Sequence, residues 1–331
     1  MGTARERLVA ALAAAGVAWG EVIAHEELDG GTFNTVFRVR SSADQRLVVK
    51  LAPEADVPVL RYEEGILGTE AWFYEVVRDG APEVPTPVAL APPTADSLVM
   101  SECAGRPWSE RANELREAER RGMRGELGHH VAALHALKGD GFGYPARPLR
   151  DTWREAFLGM VDAVLLDAGR FGVPLPRPAD EIRELFGGHG ALLDQVTVPR
   201  LVHFDLWDGN ILVEDGHVSA LIDAERAFWG DPLADFVSLA LFGDIERDEV
   251  FLAGYRESGG PAVIDAAGRQ RIALYQAYLY LIMWVEAVPR RYDAARADWL
   301  RRRVLEPLGT MLDGWAAAPR HRARADRPPR W

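Results

Sequence analysis

The chain has 331 residues, 48% hydrophobic and 27% charged, the balance of a soluble globular protein with room for one large domain or two lobes. A net charge of −12 and a pI of about 5.2 argue against nucleic acid as a partner. The single cysteine, Cys103, excludes an intramolecular disulfide and points to a reducing compartment.

The first residues carry acids and show no clear cleavage site, so no secretory signal is read there. The most apolar segment, residues 272–285, includes Gln276 and is shorter than the roughly 20 residues of a membrane span. It reads as a buried helix, and a cytoplasmic protein without a membrane partner is expected. Oligomeric state is not legible.

In chain order, residues 5–16 pattern as a short helix with Leu8, Leu12 and Val17 apolar. Strand signals follow. The stretch Glu27–Thr35 interrupts an alternating run that resumes at Val36–Arg40. Gly30 and Gly31 permit a tight turn through which backbone N–H groups can approach a phosphate, though Gly-Gly between strands is also an ordinary hairpin turn. Lys50 lies near the end of the apolar run Arg46–Leu51. A lysine there is commonly a solvated edge charge. Its place after the Gly-rich turn and before a helix also lets its ammonium reach the α- and β-phosphates of a nucleotide.

The spacing predicts a helix over 62–78, ended by Gly80. On it Glu70 is the candidate partner of Lys50, with Glu63, Glu64 and Glu75 as rivals. Two proline-rich stretches, 84–87 and 91–94, bracket a short strand, and Leu98–Met100 forms another that runs into Ser101-Glu102-Cys103. Composition then turns helical, which marks a lobe boundary and a hinge. The chain divides into an N-terminal lobe over 1–103, a C-terminal lobe over 104–313 and an Arg- and Pro-rich tail over 314–331, expected to be loose. Helices are predicted over 111–138, 151–168, 179–196, 231–242, 245–255, 265–288 and 293–315. His129, His130 and His135 share the first of these, without the carboxylate or cysteine spacing of a metal site.

The chemistry concentrates in residues 201–223. Two apolar runs, Ile211–Val213 and Val218–Ile222, flank a turn at Glu214-Asp215-Gly216 and read as a β-hairpin. Asp205 sits in the loop before it, Asn210 at its entrance and Asp223 at its exit. Phosphoryl transfer needs these parts: Asp205 to accept the hydroxyl proton, and Asn210 with Asp223 to hold Mg²⁺. Only seven residues separate Asp223 from Asp231, so a peptide substrate would lack the docking platform of a long activation segment. The acid excess over 104–313, 33 Asp and Glu against 25 Lys and Arg, favours a cationic small molecule.

These marks resemble the aminoglycoside phosphotransferase family, small-molecule kinases with a protein-kinase-like fold. They run in the family's order: Gly30-Gly31-Thr32-Phe33-Asn34, Lys50, Glu70, the hinge near Met100–Cys103, Leu134-His135, His203-x-Asp205-x-x-x-x-Asn210, Ile222-Asp223 and Gly230-Asp231-Pro232-x-x-Asp235. The resemblance implies an α+β, bilobal fold: a small N-terminal lobe with an antiparallel sheet and one helix, and a larger, mainly helical lobe. It implies nucleotide contacts from Gly30, Gly31, Thr32 and Asn34, a Lys50–Glu70 grip on the phosphates, and backbone groups at Ser101, Glu102 and Cys103 for the purine. Asp205 would be catalytic, and Asn210 and Asp223 would bind Mg²⁺. His203 would support the loop, and Asp231 and Asp235 would be structural.

The expected activity is ATP- or GTP-dependent O-phosphorylation of a hydroxylated small molecule, an aminoglycoside-type or other antibiotic foremost. The alternatives are a metabolic kinase of a sugar, amino alcohol or hydroxy-amino-acid, a nucleotide-binding pseudokinase, and a metal-dependent hydrolase on His203 and Asp205. Two departures stand out. Phe204 replaces the family's usual Gly, which bears on local backbone or substrate access, and Ala224 replaces a frequent aromatic.

Overall fold

The computed structural model describes residues 3–28, 33–54, 56–94 and 96–318. Gly30, Gly31 and Thr32, and the tail from residue 319, lie outside the described residues.

The chain opens with α1 (Ala4–Ala14), whose Thr3 cap accepts the Glu6 N–H while the Glu6 carboxylate accepts the Thr3 N–H. Strands β1 (Val22–Leu28), β2 (Thr35–Ser41), β3 (Arg46–Leu51) and β4 (Ser97–Ser101) form an antiparallel sheet in sequence order. Leu8 and Leu12 of α1 pack on Phe37, Val39, Leu47 and Val49. Fully burying each leucine contributes about 1.5–3 kcal/mol. Alternation along β3 puts Lys50 on the opposite face, between Val36 and Leu98 in the ladder.

That second face is covered by α2 (Ile66–Gly80). The predicted helix from residue 62 starts later: Arg61–Glu63 is a 3₁₀ turn, and Gly65 at φ +78° redirects the chain before the helix begins. Only glycine adopts that conformation without strain. Ile66, Glu70, Phe73, Tyr74 and Val77 then fall on the buried side.

The larger part is mainly helical. It begins with β5 (Arg106–Pro107) and α3 (Trp108–Arg111) and continues with α4 (Glu117–Ala136), α5 (Trp153–Phe171), α6 (Ala179–Gly187) and α7 (Gly190–Leu193). Next come β6 (Arg200–Val202), β7 (Ile211–Glu214), β8 (His217–Leu221) and β9 (Phe228–Gly230). The chain ends in α8 (Asp235–Leu239), α9 (Glu249–Glu257), α10 (Ala266–Val285), α11 (Ala294–Leu300) and α12 (Glu306–Ala317).

The hairpin β7–β8 pairs Ile211 with Leu221, and β5 adds to its edge. The β6–β9 pair places the start of the His203–Asn210 loop beside the Gly-Asp-Pro segment. Helix α10 is buried nearly all round, as its sequence predicts. Helices α4 and α9 touch through Gly128 and Gly254: a Cβ on Gly254 would stand 2.2 Å from the Gly125 carbonyl oxygen.

Several predicted helices are interrupted. Residues 179–196 break at Gly187-Gly188, residues 231–242 contain a 3₁₀ turn at Pro232–Ala234, and a π-turn over Arg301–Leu305 joins α11 to α12. The strand expected between the proline-rich stretches reduces to one bridge, Ala89 to Met100. Among the described residues, no helix is long and apolar enough to cross a membrane.

Candidate active site

The loop between β6 and β7 is held from below by one carboxylate. Buried Asp235 accepts the His203 N–H at 3.1 Å and the Phe204 N–H at 2.6 Å, and its Oδ2 lies 3.0 Å from His135 Nε2. Ser238 Oγ takes the Leu206 N–H at 2.9 Å. Phe204 lies at φ +64°, a left-handed conformation suited to glycine. Its ring is fully buried, 5.2 Å from the Phe228 ring and 5.7 Å from Tyr278. The phenyl group therefore fills the core beneath the loop and adds nothing to the cleft wall.

Burial holds the His203 imidazole below its usual pKa, hence neutral. Its Nε2–H donates to the Ile222 carbonyl at 3.1 Å, and its Nδ1 accepts the Asp205 N–H at 3.3 Å. One ring thus ties the loop to the end of β8. Asn210 spends its Nδ2 on the Asp205 carbonyl at 2.8 Å. Its Oδ1 is left as a hard oxygen without a hydrogen-bond partner among the described residues.

Asp223 follows β8 at φ +64°. Its N–H donates to Tyr74 Oη at 3.0 Å, and the Tyr74 hydroxyl donates to Glu70 at 2.7 Å. Lys50 Nζ bonds both Glu70 oxygens, at 2.8 and 2.7 Å, and Asp223 Oδ1 at 2.5 Å. Burial penalises this ammonium, but the Asp223 and Glu70 carboxylates outweigh it and hold Lys50 above its usual pKa. Burial likewise opposes ionisation of Asp223, and Lys50 overcomes it and keeps the group below the usual carboxylate range. Of the rivals to Glu70, Glu63 pairs with Arg290 at 2.6 Å and Glu64 with Arg147, both in the larger part. Glu75 is exposed.

Asp205 is pushed up to about 6 by burial, against the opposing charge of Arg226 at 3.7 Å. Arg226 also bonds Glu286 at 3.1 Å, and Glu286 meets Arg290 at 3.2 Å. A buried chain of charge therefore runs from Asp205 to Glu63, across the cleft. Sequence reasoning missed Arg226, Glu286 and Arg290. Two signals were available: the Glu-Arg pair right after Asp223-Ala224, and the i, i+4 placement of Glu286 and Arg290 past α10. Glu225, also missed, is pushed above its usual pKa by burial and by Asp223, and accepts the Asn34 amide at 3.0 Å.

At the connecting segment the Ser101 and Glu102 N–H groups are spent on the Val88 and Arg46 carbonyls, each at 2.9 Å. The Glu102 carboxylate pairs with Arg38. Among the described residues the Cys103 N–H has no acceptor. One cavity of about 1930 Å³ is lined together by Lys50, Asn34, Cys103, Asp205, Asn210 and Asp223.

An antiparallel sheet with α1 on one face and α2 on the other, set on a larger helical part with Lys50, Asp205 and Asp223 in the cavity, defines a protein of the protein-kinase-like superfamily. The model of the APH phosphotransferase enzyme family matches residues 24–275, and the chain belongs to that family.

A probable ketoamine kinase of Synechocystis sp. is 29% identical over 170 residues, 46% of this chain and 52% of the relative. The chain thus spans about half the length of that curated relative. Two solved structures share the fold. A candidate fructosamine-3-kinase of Thermobifida fusca YX-ER1 has TM-score 0.68 and 22% identity, over 93% of this chain and 98% of the other. A thermostable mutant of aminoglycoside phosphotransferase APH(4)-Ia, in ternary complex with AMP-PNP and hygromycin B, has TM-score 0.65 and 18% identity, over 96% and 100%.

Proposed function

We propose that this protein transfers the γ-phosphoryl group of ATP to a hydroxyl of a small molecule. The observation that carries the reading is the convergence of Lys50, held by buried Glu70, with Asp223, Asp205 and Asn210 on one cavity. ATP as donor is supported by the relative held with AMP-PNP, and GTP is the second donor to assay. The relatives divide between kinases named for aminoglycosides and for ketoamines, so they support a hydroxylated small molecule as acceptor and neither an antibiotic nor a metabolite in particular.

Each residue has a role in this reading. Lys50, positioned by Glu70, grips the α- and β-phosphates. The Cys103 N–H is the hinge donor for the purine, while Ser101 and Glu102 brace the strand. Asn34 lines the same cavity as Lys50 and is the described member of the Gly-rich stretch that would contact the phosphates. Mg²⁺ suits the donor set: the unspent Asn210 Oδ1 and the Asp223 carboxylate are hard oxygens, and a bound Mg²⁺ would neutralise phosphate charge. Asp205, with its carboxyl near the working pH, orients the acceptor hydroxyl and takes its proton. Residues 1–103 form the nucleotide lobe and 104–313 the acceptor lobe, and a cytoplasmic location belongs to the same reading.

Lys50, Asp205, Asn210 and Asp223 stand together, which weighs against a pseudokinase. Among the described residues the cluster of side chains close enough to share a metal is Glu70, Asp223 and Glu225, without His203 or Asp205, which weighs against a metal-dependent hydrolase built on those two. The test is a nucleotide-consumption screen over sugars, amino alcohols, hydroxy acids and antibiotics, with Lys50→Ala as the control. Acceptor-dependent ADP release that Lys50→Ala abolishes supports the reading. Failure of the wild type to bind Mg²⁺–ATP or Mg²⁺–GTP by calorimetry overturns it.

A further inference from the structure

The acceptor half of the cavity is walled by one face of α10, by the turn after α8 and by the approach to α11. Leu279 and Met283 lie on that face of α10, and Glu286 and Arg290 follow in the turns that extend it. Phe242, Tyr292 and Trp299 add aromatic surface to the same wall, with Phe242 edge-on to Trp299 at 5.4 Å.

The charges of this wall are unevenly spent. Glu286 is taken by both Arg226 and Arg290. Asp293 caps α11 by accepting the Arg296 N–H at 2.8 Å. Asp244 accepts the Glu246 N–H at 3.0 Å and faces Arg247 at 3.7 Å. Glu286 and Asp244 are therefore paired with arginines, Asp293 is engaged by a backbone N–H, and Asp205 is reserved for the hydroxyl. Arg291 and Arg296 line the same wall and, among the described residues, have no carboxylate partner. The Arg296 guanidinium instead lies over the rings of Trp299, at 4.8 Å, and Tyr292, at 5.6 Å.

A polyammonium acceptor against this wall would bring like charge beside Arg291 and Arg296, which disfavours it. Acids elsewhere in the cavity, such as Glu249 and the Arg124-paired Asp208 and Asp248, belong to α9 and to the loops before β7 and α9. An apolar body would pair with Leu279, Met283 and the rings. An anion would meet two guanidiniums with donors unspent on acids, groups whose planar fork suits carboxylates. The acid excess of residues 104–313 as a whole does not describe this wall.

We propose, resting on the phosphotransferase reading, that the acceptor is a hydroxylated molecule with an apolar or aromatic body and a carboxylate, and that aminoglycoside-type polyamines are poor ligands. The test is calorimetry on the full chain with Mg²⁺–ADP bound. The probes are 3-phenyllactate, its amide, the matching amine phenylalaninol, and kanamycin. Phenyllactate is expected to bind about tenfold or more tighter than phenylalaninol, in line with a charge-assisted hydrogen bond. The Arg291→Gln/Arg296→Gln double variant should lose that preference while keeping Mg²⁺–ADP affinity, which also reports that it is folded. Phenylalaninol or kanamycin binding as tightly as phenyllactate, or phenyllactate failing to saturate, overturns the acceptor class and leaves phosphoryl transfer standing. Failure of the wild type to bind Mg²⁺–ADP overturns both.

Discussion

Replacing Arg226 tests whether Asp205 is the proton acceptor. The Arg226 guanidinium lies 3.7 Å from Asp205 Oδ1, and Asp205 sits at about 6 even with that charge beside it. A unit charge at this distance is worth about 1 kcal/mol in water and about 4.5 kcal/mol at an effective dielectric of 20, or roughly 0.8 to 3 pH units. The Asp205 side chain is 19% exposed, so a middle value applies. Arg226→Gln should raise the Asp205 pKa by about one to two units. The base works only when ionised. Activity of the wild type is thus lost as pH falls through about 6, and that of the variant should be lost already between about 7 and 8.

The assay is kcat/KM against pH, which reports the free enzyme. Glu286 keeps Arg290 at 3.2 Å, so the variant does not strand that carboxylate. Losing one partner of a buried pair still costs about 3–5 kcal/mol, and urea unfolding must show the variant folded at the assay pH. A further sign follows from linkage. A carboxyl raised on folding binds more protons in the native state, so its contribution to stability falls as pH rises from its ordinary range through about 6. A folded Arg226→Gln protein whose acid limb stays within about 0.3 unit of the wild type would refute Asp205 as the titrating base.

Asp205→Asn should keep Mg²⁺–nucleotide binding and lose about 10²–10⁴-fold in transfer, whereas Asp223→Asn should weaken the Mg²⁺-dependent part of binding; calorimetry with and without Mg²⁺ separates them, and near-wild-type transfer by Asp205→Asn would contradict its placement. Phe204→Gly relieves about 1–2 kcal/mol of left-handed strain and forfeits about 3–5 kcal/mol of ring burial, so urea unfolding should show a net loss of about 1–4 kcal/mol. A more stable variant would mean the ring is not packed as described. Burial pushes the Cys103 thiol up to about 11, so iodoacetamide at pH 7.5 should label it slowly, and more slowly still with Mg²⁺–ATP bound. Labelling at the rate of a free thiol would contradict its half-buried setting at the hinge.

What was legible in the sequence is what short-range chemistry enforces. The β7–β8 hairpin had to form from its two apolar runs and Glu214-Asp215-Gly216 turn, and it carried Asn210 and Asp223 to neighbouring positions whatever the rest of the chain did. Lys50 and Glu70 lie on a strand and the helix after it, so their meeting needed only the right helical face. Gly65 shifted the start of that helix without moving Glu70 off the buried side. Residues whose partners are remote were not legible. Glu63 meets Arg290 across 227 positions, and nothing local to either names the other.

The same distinction governs charge. A lobe-wide sum treats every acid as available to a ligand, yet availability depends on who has already claimed it. Glu286 is an acid by composition and a neutralised pair by structure, because Arg226 and Arg290 reach it from different parts of the chain. Arg296 counts as one cation among many, and its guanidinium, over Trp299 and without a carboxylate partner among the described residues, makes it a recognition group. The excess of acids over 104–313 and an acceptor wall that favours a carboxylate are therefore compatible. Long-range electrostatics steer the approach of a ligand, while the contacts that bind it are decided by which charges remain unpaired at close range.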